Sequence, residues 1–110
     1  MIIDGEQLKA NPVSVMNKLQ LFLKIEPFFD YKQHLRFDPK KGFFCQLIHM
    51  NSTKCLGRSK GRTYPPMESR AQTFLRSFYL SHNIALSKLL TRMHHSIPLW
   101  LEDDLSTGYT

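Results

Sequence analysis

The stretch Cys55-Leu56-Gly57-Arg58-Ser59-Lys60-Gly61-Arg62-Thr63-Tyr64-Pro65 holds the densest chemistry in the chain. Glycine lets backbone N–H groups come close to an anion, and clustered lysine and arginine neutralise it. Arginine grips a phosphate through two parallel hydrogen bonds, whereas lysine acts as a point charge. Phe43, Phe44 and Tyr64 add aromatic faces suited to a base or a sugar. These residue types specify a phosphate-binding loop beside a stacking surface. They do not specify a reaction, and the G-x4-G-K-[ST] order of a Walker loop is absent.

The surrounding charge agrees with an anionic ligand. Between Lys32 and Arg62 stand eight basic residues against the single acid Asp38, a net +7, while the whole chain carries +6. A field concentrated in this way recruits anions and raises their encounter rate. Nucleic acid, phosphorylated nucleotides, anionic lipid and sulfated sugar all qualify, as does a solvated basic face with no ligand.

Cys45 and Cys55 are the only cysteines, ten positions apart. Bonded to each other, they close a short loop whose entropy is worth roughly 2–3 kcal/mol; a pair of buried thiols is the other reading. The spacing does not fit a zinc site, with His49 the only nearby third ligand. Asn51-Ser52-Thr53, between the cysteines, is an acceptor pattern for N-glycosylation. Together the two features favour an oxidising lumen. No secretory signal opens the chain, so the expectation is an entry signal upstream of Met1. None of the histidines (His34, His49, His82, His94, His95) falls in a recognised position for a general base. Each reads as a surface or structural residue.

The elements that position these groups follow from pattern. With 110 residues, 42% hydrophobic and 12% aromatic, the composition is that of one small globular unit or a piece of a larger one. Repeats, low-complexity tracts and membrane-length apolar runs are absent. Ile2-Ile3 before Asp4-Gly5 reads as the end of a buried strand whose neighbours lie upstream. Asn11-Pro12 is an N-cap followed by proline, and Val15, Met16, Leu19, Phe22 and Leu23 recur at helical spacing, which predicts a helix over Pro12 to Lys24. Pro27 stops it. Leu35-Arg36-Phe37, the turn Asp38-Pro39-Lys40-Lys41-Gly42, the run Phe43 to Ile48 and a returning Thr53 to Leu56 read as antiparallel strands. Ala71, Phe74, Leu75 and Phe78, then Leu86, Leu89, Leu90 and Met93, form an apolar stripe expected in the core of two helices joined near His82-Asn83. Ile97-Pro98-Leu99-Trp100-Leu101 reads as an apolar tail, with Glu102-Asp103-Asp104 frayed.

Asp38 to Leu47, followed by Thr53 to Pro65, resembles the C-terminal end of the heparan sulfate sulfotransferases, and most closely the bifunctional N-deacetylase/N-sulfotransferases. Ile2-Ile3-Asp4-Gly5, Asn83 to Leu90 and Pro98-Leu99-Trp100-Leu101 match in the same order, so the likeness covers nearly all of residues 1–110. It implies an α/β fold: the C-terminal portion of a P-loop-kinase-like sulfotransferase domain, with the N-terminal half of that domain absent. Such a portion holds the end of a parallel strand, a helix, a disulfide-pinned hairpin, the basic loop and C-terminal helices. It also implies the reaction, transfer of a sulfuryl group from 3′-phosphoadenosine 5′-phosphosulfate to the glucosamine amine of heparan sulfate or heparosan. The setting is the Golgi lumen, with a membrane anchor only upstream and neither nucleic acid nor metal involved.

Residue by residue, the likeness makes Cys45 and Cys55 the family disulfide. Lys60, Gly61, Arg62, Thr63 and Tyr64 become the donor-nucleotide loop, with Lys60 implicated in catalysis as a contact to the donor phosphate. Phe44 falls where the N-sulfotransferases carry tryptophan near the donor. It keeps an aromatic face but lacks the indole N–H. Thr63 replaces a lysine and removes one positive charge, which implies weaker donor affinity. The upstream phosphate-cradling segment and most of the acceptor site are missing, so the chain alone is expected to be inactive. The alternatives are a non-catalytic module that binds heparan sulfate by charge, a fragment of a heparan sulfate O-sulfotransferase, and a degenerate product without a stable fold.

Overall fold

A computed structural model describes residues 1–49, 51–57, 60–61 and 63–107. The chain divides into two compact units, Met1–Thr63 and Tyr64–Thr110.

The first unit opens with two short helices that share a cap. Asp4 accepts the Glu6 N–H at 3.1 Å and starts α1 (Gly5–Ala10). Asn11 closes α1 through its own N–H to the Gln7 carbonyl. The same residue begins α2 (Pro12–Leu23) by accepting the Ser14 N–H, with Pro12 in the first turn. Proline is favoured there because its missing N–H would have had no helical partner. Lys24 ends α2 in the left-handed region at φ +54°.

Ile2-Ile3, expected as the end of a buried parallel strand, lies outside any ladder, with the two side chains 47% and 39% exposed. Two residues offer too few ladder hydrogen bonds to persist without a neighbouring strand, and Asp4 is committed to the helix cap.

Gln20 ties α2 to the sheet. Its carboxamide, 3% exposed, donates to the Phe29 carbonyl and accepts the Phe29 N–H, both at 2.8 Å. Phe29 in turn stacks on His34, ring centroids 4.5 Å apart, just ahead of the first strand. One buried amide with both ends satisfied thus fixes the chain path between helix and sheet.

The sheet is antiparallel and three-stranded, in the order β1 (Leu35–Asp38), β2 (Phe43–His49), β3 (Ser52–Lys54). Asp38 builds the first turn. Its side chain accepts the N–H groups of Lys40 and Lys41, and its carbonyl accepts that of Gly42. Gly42 sits at φ +74°, where a side chain would be strained. The second turn is tighter than the gap expected between a strand ending at Ile48 and one returning at Thr53, because a bulge between Leu47 and His49 lets Ser52 pair directly with His49.

The second unit is a pair of helices. α3 (Ser69–Arg92) runs unbroken for 24 residues, and α4 (Leu99–Ser106) packs beside it around Leu90 and Leu101, 3% and 0% exposed. The expected joint at His82-Asn83 does not occur. No glycine or proline interrupts residues 69–92, and the Asn83 amide donates to Asp104 on α4 at 2.6 Å instead of capping a new helix. That bond, with Arg76 at 3.5 Å from the same carboxylate, also turns the expected frayed acidic end into helix. The apolar stripe is only partly core: within this unit Phe74, Phe78, Leu89 and Met93 are each at least 45% exposed. An eight-residue α4 is too short to cover a 24-residue partner. No helix among the described residues is long and apolar enough to cross a membrane.

Candidate functional site

The candidate site grows from the register of the sheet. Gln46 pairs with Lys54, so Cys45 stands directly opposite Cys55. The two are joined by a disulfide across a Cα–Cα distance of 4.6 Å. That separation is typical of the close, non-hydrogen-bonded pair in an antiparallel ladder, so the bond forms where the strands already place the side chains. Cys45, on the central strand, is 2% exposed. The disulfide thereby fixes the departure point of the basic loop, two residues before Gly57.

Asp38 approaches the disulfide from β1, its Oδ2 3.9 Å from Cys55 Sγ. A disulfide sulfur has no proton to donate, so this is a van der Waals approach and not a hydrogen bond. The Asp38, Cys45 and Cys55 ligand atoms lie within 4.8 Å of one another, yet the S–S bond consumes both thiolates a metal would need.

The Lys60 N–H donates to the Gly57 carbonyl at 2.9 Å. Gly61 follows at φ +67°, with its backbone against the ring of Phe43. A Cβ there would overlap that ring, so the position demands glycine for its dihedral and for its lack of bulk. Lys60, Gly61, Thr63 and Tyr64 are exposed. Arg62, with Arg58 and Ser59, lies outside the described residues.

Strand alternation separates the two phenylalanines. Phe43 and Cys45 share one face of β2, and Phe44 points to the other, where its ring meets Phe37 edge-on at 5.4 Å. The structure therefore brings Gly61, the residue after Lys60, to Phe43 and leaves Phe44 on the reverse side. Tyr64 belongs to the second unit. The period-2 pattern sets Phe43 on the face it shares with Cys45, but the seating of Gly61 on its ring is a tertiary contact that the pattern does not contain. What the arrangement offers chemically is an exposed ammonium on a backbone held by a disulfide at one side and an aromatic ring beneath. Such a site can neutralise a phosphate.

Comparison with known proteins gives this geometry a context. Residues 1–86 match the model of a sulfotransferase domain. The chain is 58% identical over 108 residues to the bifunctional heparan sulfate N-deacetylase/N-sulfotransferase of Drosophila melanogaster, covering 97% of the chain and 10% of that protein. It is 52% identical over 105 residues to the mouse enzyme numbered 4 of the same description, and 50% identical over 105 residues to the human enzyme numbered 3. Each of those two alignments covers 96% of the chain and 12% of the relative. The matching region lies at the C-terminal end of these relatives. The chain spans about a tenth of the length of the curated relatives it matches.

Proposed function

Because the chain belongs to the sulfotransferase domain family, we propose that it forms the C-terminal part of a heparan sulfate glucosamine N-sulfotransferase domain and supplies one wall of the site for 3′-phosphoadenosine 5′-phosphosulfate. The observation that carries this reading is the seating of Gly61 on Phe43 beside the Cys45–Cys55 disulfide, which presents Lys60 to solvent from a fixed backbone.

The donor brings a sulfuryl group that passes to an amine with loss of a proton. This chain's share is electrostatic. Lys60 and Arg62 offset charge on the donor phosphates, Gly61 keeps the loop close to the sheet, and Thr63 and Tyr64 extend the contact with a hydroxyl and a ring. Phe44 joins them from the far face of β2 if the nucleotide meets the hairpin at its Phe43–Phe44 end, where both faces are within reach. The proton acceptor and most of the acceptor-sugar contacts come from outside residues 1–110, so the chain alone has no turnover. The exposed Phe74–Phe78 side of α3 is covered by the remainder of the domain. The reaction takes place in the Golgi lumen, on a heparan sulfate or heparosan acceptor.

The test is a chimera in which the chain replaces the matching segment of the Drosophila melanogaster enzyme. Each lost charge-assisted phosphate contact is worth about 1.5–3 kcal/mol. Replacing Lys60 and Arg62 together by alanine is therefore expected to weaken capture of 3′-phosphoadenosine 5′-phosphate by at least about tenfold. Undiminished capture overturns the reading. Heparan sulfate binding that falls steeply with salt, and that the nucleotide does not compete, selects the non-catalytic alternative instead.

A further inference from the structure

We infer that Asn51 is an N-glycosylation site placed at the end of the sheet opposite the donor loop. The inference rests on the lumenal placement proposed above and is independent of donor binding. Asn51-Ser52-Thr53 supplies the acceptor amide, a non-proline middle residue and the hydroxyl residue two positions on. Asn51 is exposed in the turn between β2 and β3. Ser52, Thr53 and Lys54 are exposed as well, although they are paired to β2. A glycan therefore meets no packed side chain of its own strand. β3 is an edge of the three-stranded sheet, and a bulky hydrated group beside its first residue shields that edge from pairing with another chain.

Two further observations bear on the site. The tripeptide lies within the loop closed by Cys45 and Cys55, and a structural disulfide forms in the same oxidising compartment as N-glycans. Geometry also separates the site from the anion loop. Gly61 rests on Phe43, the first residue of β2, whereas Asn51 follows His49, the last. At about 3.3 Å per residue the strand keeps them roughly 20 Å apart. Glycan and donor loop thus occupy opposite ends of one hairpin.

The modification joins the Asn51 side-chain nitrogen to the anomeric carbon of a lipid-pyrophosphate-linked oligosaccharide. An N–C bond forms, the C–O bond to the pyrophosphate breaks, the lipid pyrophosphate leaves with the electron pair, and the amide proton passes to a base of the transferase.

The chain is expressed behind a cleavable secretory leader in animal cells, with one reporter acceptor tripeptide appended at its C-terminus. Two glycans removable by peptide N-glycosidase are expected, and mass spectrometry should read Asn51 as aspartate after their release. N51Q and T53A should each remove one glycan, while S52A keeps both. An occupied reporter beside an unmodified Asn51 peptide overturns the inference, and the unsubstituted chain suffices for that reading should a variant fail to fold. Donor capture by the chimera fails or succeeds independently, so the two proposals fall separately.

Discussion

The backbone of Gly61 lies against the ring of Phe43, at φ +67°, with a Cβ in that position only 2.7 Å from Phe43 Cδ1. The contact joins a residue in the basic loop to the first residue of the central strand, two positions from Cys45. Loop conformation and disulfide are thereby parts of one arrangement.

G61A tests that contact. A left-handed backbone costs a non-glycine residue about 1–2 kcal/mol, and the ring overlap adds to it. In the chimera, donor affinity is expected to fall by about tenfold, the equivalent of about 1.4 kcal/mol. Combining G61A with F43A removes the overlap and should restore part of the loss, leaving the dihedral cost. No coupling between the two substitutions in nucleotide titrations would rule the contact out as the cause.

Reduction of the disulfide, or C45S with C55S, is expected to cost roughly 2–3 kcal/mol of loop-closure entropy. The loop also loses its fixed departure point. Donor capture should therefore weaken even at temperatures where the melt shows the protein still folded, and reoxidation should recover it. Equal capture by reduced and oxidised protein would show that the hairpin holds its loop without the bond.

The family resemblance implies a lysine at the Thr63 position and a tryptophan at the Phe44 position, and substitution tests both. T63K adds a positive charge to an exposed loop position and should tighten nucleotide binding several-fold at low salt, with the gain shrinking as ionic strength rises. F44W supplies an N–H donor and should tighten binding with little salt dependence. The slope of affinity against salt distinguishes the two.

In the helical pair, the short Asn83–Asp104 hydrogen bond is partly buried, while Arg76 is half exposed. N83A is therefore expected to destabilise by about 1.5–3 kcal/mol, since the bond involves a carboxylate. R76A should cost no more than about 1 kcal/mol, because an exposed ion pair is screened by water. Chemical denaturation of the two variants side by side gives the order, and a larger effect of R76A would reverse it.

Phe74 and Phe78 are 66% and 57% exposed within their unit. F74S with F78S should leave the melting of the isolated chain nearly unchanged, as expected of surface positions. The same pair in the chimera should lower secretion and sulfate transfer markedly if, as proposed, the remainder of the domain covers these rings. Normal secretion and transfer of the double variant would show that this face stays open.

Much of the local architecture was legible in the residues. Asn11-Pro12 marked the start of α2, Asp38 to Gly42 marked a turn, and the apolar run from Phe43 marked the central strand. The basic character of the loop was plain from Lys60 and Arg62. Less legible were features that depend on what lies opposite. The side chain of Asn83 is equally suited to a helix cap and to an interhelical bond, and only the presence of Asp104 on α4 decides between them. Ile2-Ile3 has the composition of a strand but no partner in the described sheet.

Local sequence by itself determined the caps, the turns and the charge, because each depends on neighbours within a few positions. It also determined that the two phenylalanines face opposite ways once the strand is granted, since side chains alternate along a strand. The Cys45–Cys55 bond that the family resemblance implied forms across the ladder, whereas only the tertiary structure decided that Gly61 comes to rest on Phe43. It likewise decided that the Phe74–Phe78 side of α3 remains uncovered by α4. Those outcomes depend on pairing register and on the reach of a neighbouring element, quantities that short-range composition does not encode.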